Sequence, residues 1–196
     1  MKLDRFAALL APASILAGWT TIALAMYVNP WFNLFSNAIS DMGRVGLSTA
    51  YVLNDGLLIT SLLMMAYSLA LLRFLRSPLG HFSAGFFCLA SFHLLLISRF
   101  PEGTAPHLTV SYQFFTYTIF SMMLFGISLV KEGYPYNGIV NILCFFAGLS
   151  GSFLIKWPST ATLEIYNLVL VTIGVISLFH QNMKILSGRE MYAQIC

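Results

Sequence analysis

Apolar residues in this chain come in long blocks separated by brief polar links, with no sustained alternation of apolar and polar positions. Six blocks, at residues 6–27, 50–72, 82–98, 108–130, 138–155 and 162–183, approach or exceed the twenty or so residues that a helix needs to cross a hydrocarbon layer. The third and fifth are short, so flanking residues extend them or they stand nearly upright. In hydrocarbon every backbone amide and carbonyl must find a partner inside its own segment. The predicted fold is therefore all-α: a single domain over residues 1–196, an integral membrane bundle of six transmembrane helices. The first block follows MKLDR and continues to Tyr27. That is longer than the apolar part of a signal peptide, so it reads as the first span.

The link after it, NPWFNLFSNAISDMG at residues 29–43, has a second pattern. At about 100° per residue, Trp31, Phe35, Ala38 and Met42 fall on one line, and Asn33, Ser36, Asn37, Ser40 and Asp41 take the opposite side. Asn29–Pro30 is a good helix start and Gly43 a good stop. The pattern predicts a short amphipathic helix over 30–42 between the first and second spans, too short to cross and lying along the membrane surface.

Composition supports the membrane reading. The chain is 58% hydrophobic and 9% charged, whereas a soluble domain carries about 25% charged residues. A net charge of +3, spread thinly, makes no basic patch, so no nucleic-acid partner is expected. Cys88, Cys144 and Cys196 lie too far apart in sequence to suggest a disulfide framework or a cysteine-built metal site. The basic residues give an orientation. Lys2, Arg5, Arg73, Arg76, Lys131, Lys184 and Arg189 fall on one side, and only Arg44, Arg99 and Lys156 on the other. Positive charge marks the cytoplasmic side. The expectation is a multi-pass protein of the cell membrane with both termini cytoplasmic and the 29–43 link extracytoplasmic. Small residues recur four apart, as Ser14/Gly18 and Ala147/Gly151, a spacing that lets helices approach closely.

Ionisable residues in or near spans are expensive to keep, and each therefore motivates a hypothesis. Asp41, Asp55, Arg99, Glu102, His107 and Glu164 all fall at the extracytoplasmic level. Asn37, Ser40, Asp41, Asp55, Arg99, Glu102 and His107 are the candidate ligand-binding residues. If the protein is an enzyme, Asp41, Glu102 and His107 are the candidate acid, base or ligand groups. His93 lies deepest, near the middle of the third span, where a neutral ring bonded to a neighbouring helix is expected; with Asp55 it is the candidate for a proton relay. The four histidines stand at three depths, which argues against a histidine-built zinc site. No cofactor and no metal are expected.

Three stretches, NPWFNLFSNAISDMG, VLNDGLL and RFPEGTAPH, resemble a family of polytopic archaeal and bacterial membrane proteins known as domain of unknown function 998. The matching positions are Asn29, Pro30, Ser40, Asp41, Gly43, Asn54, Gly56, Phe100, Pro101, Glu102 and His107; Asp55 departs from the pattern. The resemblance covers residues 29–130, with agreement in hydropathy alone beyond them. It implies a polytopic fold and a polar cluster at one end, and brings no activity with it. Three readings stand on the residues themselves. The first is a non-enzymatic protein that binds a lipid headgroup or small ligand in an outer pocket, or serves as a subunit of a membrane complex. The second is an intramembrane hydrolase or transferase acting on lipid-linked substrates. The third is a small transporter or proton relay. The partners expected are membrane lipids and other membrane-protein subunits.

Overall fold

A computed structural model describes residues 2–195, with side chains as far as Gly188. Cys196 and the side chain of Arg189 lie outside the described residues. Six helices make up the fold: α1 (Lys2–Val28), α2 (Ala50–Leu71), α3 (Pro78–Arg99), α4 (His107–Lys131), α5 (Pro135–Leu154) and α6 (Thr160–Ile195). All six are long and apolar enough to cross a membrane, and the described residues contain no strand. Each helix packs on the next in sequence, and α1 also packs on α6, which closes the ring. Asp41, Glu102 and Glu164 lie at the end where α1, α3 and α5 finish, called the acidic end below; the opposite one is the basic end.

The helices are inverted relative to those of a soluble bundle. Large apolar side chains such as Leu16, Ile59, Leu62 and Phe153 point outward and are exposed, while Ser61, Ser83, Ser91 and Ser128 are fully buried. Outward positions must be apolar to face hydrocarbon, and small inward ones let backbones come together. Gly138 of α5 shows the need, because a Cβ there would collide with the Gly126 carbonyl of α4. Between α5 and α6, Tyr166 Oη donates to Ala147 O at 2.8 Å and Asn137 Nδ2 to Ser177 O at 2.6 Å.

The helix predicted over 30–42 does not form. Residues 29–38 run through turns, and only Ile39–Gly43 winds into a short 3-10 turn. The amides meant for a polar helix face are spent on the backbone instead. Asn33 Oδ1 accepts from Phe35 N and Asn37 Oδ1 accepts from Asn33 N, both at 2.8 Å. Asn29 does not open a helix but closes α1: its Nδ2 donates to Ala25 O at 2.8 Å, and its Oδ1 accepts from Thr49 Oγ1 at 2.7 Å. Short polar side chains compete for backbone groups in this way, which is why they favour turns.

At the basic end, Glu132 follows α4 and reaches the start of α3. Its Oε1 accepts from Ser77 Oγ at 2.7 Å, Ser77 N at 2.9 Å and Ser128 Oγ at 3.0 Å. Arg73 is paired with Asp4 nearby, at 2.7 Å. Partial burial pushes the Glu132 carboxyl up, but these hydrogen bonds outweigh it and hold the group below the ordinary carboxylate value. A depressed native pKa adds stability that is fully present above the ordinary value and is lost as pH falls through the native one. We expect thermal stability in detergent to drop as pH is lowered below about 4.5. Glu132→Ala should lose that part of the pH dependence and cost about 1–3 kcal/mol, because two amides and two hydroxyls lose their acceptor. A thermal-shift series against pH checks both.

Candidate functional site

The 29–49 link folds over the acidic end of the bundle and is tied down along its length. Leu34 O accepts from Ser159 Oγ at 2.5 Å, and Asn37 O from Ala161 N at 2.9 Å. Ile39 N donates to Glu164 Oε2 at 2.7 Å. Gly43 O accepts from Asn54 Nδ2, and Val45 N donates to Glu102 O, both at 2.9 Å. The cover thus takes hold of α2, the α3–α4 link and α6.

Beneath it the RFPEG stretch makes a tight turn in which Thr104 N donates to Pro101 O at 3.1 Å. Gly103 sits at φ +93, a conformation that favours glycine. The turn brings Glu102 back over His107, the first residue of α4. His107 Nε2 lies 3.0 Å from Glu102 Oε2, and its Nδ1 lies 2.9 Å from Phe100 O. Ser40 Oγ donates to the same Glu102 oxygen at 3.3 Å, and Ser111, one turn further along α4, is 3.5 Å from Nε2. The histidine side chain is 8% exposed and the glutamate 41%. The pair therefore runs from the interior to the mouth of the site.

A carbonyl only accepts, so the 2.9 Å contact with Phe100 O is a hydrogen bond when the ring carries a proton on Nδ1. Nε2 then faces the Glu102 carboxyl oxygen at 3.0 Å.

Ser40, Asn54, Glu102, His107, Ser111 and Glu164 line one cavity of about 70 Å³, whose other walls are apolar side chains of α1, α2, α3, α4 and α6. Glu102 Oε1 and Glu164 Oε1 have no hydrogen-bond partner among the described residues. The site thus offers acceptors, and His107 is its only lining cation-forming side chain. Among the described residues no three histidine, cysteine, aspartate or glutamate side chains are grouped to hold a metal ion.

Of the candidate ligand-binding residues, Ser40, Glu102 and His107 meet at this cavity. Asp41 stands beside it but turns onto its own loop, its Oδ2 accepting from Ala38 N at 2.9 Å. Asn37 is committed to the cover. Asp55 and Arg99 are exposed and line no cavity described here. His93 bonds within its own helix, Nδ1 to Leu89 O at 2.7 Å, rather than to a neighbour, and its ring lies 5.0 Å from Tyr117. Glu164 is the residue whose weight the sequence underplays: its level was legible but its bond to Ile39 was not. Ser111 had one signal, its four-residue spacing from His107.

The model of one family, described as a protein of unknown function (DUF998), matches residues 10–181. The chain belongs to the DUF998 family. The match extends the resemblance seen at residues 29–130 to nearly the whole bundle, and both elements of the DUF998 chain that carry the cavity, the 29–49 cover and the RFPEG turn, fall inside it. A search of curated proteins and of solved structures finds no match.

The contact between the ring and the Phe100 carbonyl has a direct readout. In histidine labelled with nitrogen-15, His107 Nδ1 should give the signal of a proton-bearing ring nitrogen. Glu102→Gln should shift only Nε2. An unprotonated Nδ1 would contradict the arrangement.

Proposed function

We propose that this chain is a binding protein of the membrane rather than an enzyme, and that its cavity takes a small group rich in hydrogen-bond donors, with an amine suited best. The observation that carries this reading is the set of acceptors round one cavity: Glu102 and Glu164, each with one oxygen committed to the protein and one left over. An ammonium donates up to three hydrogen bonds, and its charge would suit a cavity lined by two carboxyl groups, those of Glu102 and Glu164. Nothing comparable favours an anion. Arg99, the natural anion ligand at this level, is exposed and outside the lining.

Hydrolase chemistry is supported less well by the same contacts. A serine nucleophile needs the base nitrogen to itself, with the orienting carboxylate on the other ring nitrogen. Here Glu102 and Ser111 both approach Nε2, while Nδ1 is taken by a carbonyl. The relay reading that pairs Asp55 with His93 is also less well supported, since the two residues share no described cavity. The bias of basic residues supports an extracytoplasmic acidic end, from which the ligand would come from outside the cell or from the outer leaflet.

Ethylamine is a minimal test ligand. Added to protein in nanodiscs, it should raise the thermal transition in a saturable way, and Glu102→Gln or Glu164→Gln should weaken its apparent affinity about tenfold or more, as the loss of a charge-assisted hydrogen bond implies. Equal response of wild type and both variants, or no response at all, would remove the proposal.

A further inference from the structure

A second cavity, of about 90 Å³, lies against the first, toward the middle of the bundle. Ile22, Leu57, Leu94, Phe114 and Leu168 line both, so the floor of the polar cavity is the roof of the apolar one. The lower cavity contains polar residues, but their donor protons are already used. Ser14 Oγ donates to Ala11 O and Thr60 Oγ1 to Gly56 O, both at 2.8 Å, and Thr172 Oγ1 donates to Leu168 O while accepting from Trp19 Nε1 at 3.0 Å. Nothing there asks for water, and apolar cavities of this kind stay dry and take apolar guests.

We infer that the two cavities are one site for a single-chain amphiphile, with the donor head at Glu102, His107 and Glu164 and the hydrocarbon chain running down past Leu168 to Trp19 and Thr172. The inference rests on the reading of the upper cavity given above and adds the class of molecule. Three observations support it. Of the two cavities, only the upper is lined by carboxyl groups, and the lower is walled by apolar side chains and hydroxyls whose protons are already donated. The path is long enough: Glu164 to Val175, both lining residues of α6, spans eleven steps, or about 16 Å at 1.5 Å per residue. The volume selects one short chain, because 90 Å³ lies well below the roughly 150 Å³ of an apolar cavity that accepts a benzene ring, so a chain of about six carbons spread over both cavities is the limit.

Trp19 reports on the chain directly, since it lines the lower cavity while Trp31 and Trp157 line neither. In Trp31→Phe/Trp157→Phe protein in nanodiscs, ω-bromohexylamine should quench Trp19 fluorescence saturably, and hexylamine should reverse it. Ser14→Leu and, separately, Gly18→Val fill the lower cavity and should each weaken quenching at least tenfold while leaving the thermal response to ethylamine intact. The unaltered protein gives a second measurement: hexylamine should stabilise it at concentrations at least tenfold below those of ethylamine. Quenching that rises without saturation and is equal in the filled variants would mean partition into the bilayer and would overturn the inference. Ethylamine binding with no advantage for hexylamine and no quenching would overturn the chain assignment and leave the head site standing. Failure of both amines would overturn both readings.

Discussion

Hydrocarbon offers no partner to a backbone amide, and the whole structure answers that constraint. Helices meet it inside the bundle. Where the chain must leave a helix at the membrane edge, this protein meets it with acceptors borrowed from side chains. Glu164 takes Ile39 N, Asp41 takes Ala38 N, and Glu132 takes Ser77 N. Three of its few acids are therefore part of the fold before they are part of any chemistry. Each bond lies in a part-buried setting, where water competes less than at an open surface.

The same economy builds the cavity. A carboxylate has two oxygens, and those of Glu102 and Glu164 serve the protein with only one. Holding the cover and presenting an acceptor to the interior are consequently one act, performed by one side chain. The Glu102–His107 contact stands at the mouth of the site, with the Phe100 carbonyl on the far ring nitrogen. Below it the bundle leaves an apolar shaft, because small residues such as Gly18 and Ser14 line the space where α1 meets its neighbours.

The six helices were legible because long apolar blocks admit few alternatives. The 29–49 link was not, and the reason is particular. Helical angle sorted its residues cleanly, but a helix requires that its amides leave the backbone alone, and Asn33 and Asn37 do the opposite. Angular segregation cannot distinguish a polar helix face from a row of turn-forming side chains. The level of Asp41, Asp55, Arg99, Glu102, His107 and Glu164 along the membrane normal was readable from sequence, but lateral position was not. Asn54 and Asp55 illustrate this: they are one residue apart, yet Asn54 lines the cavity and Asp55 is exposed. Glu164 joins the site through a partner 125 residues away, a separation that no local pattern encodes.

Glu164 holds the cover through Ile39 N and also lines the cavity beneath it. Solid-state NMR can measure that bond in a bilayer, with nitrogen-15 on isoleucine amides and carbon-13 on glutamate carboxyls. The account predicts a strong dipolar coupling between Ile39 N and the Glu164 carboxyl carbon, matching the 2.7 Å nitrogen–oxygen contact, and its loss in Glu164→Ala. If no isoleucine amide couples to the Glu164 carboxyl, the cover is not held this way and the cavity beneath it is not the site described.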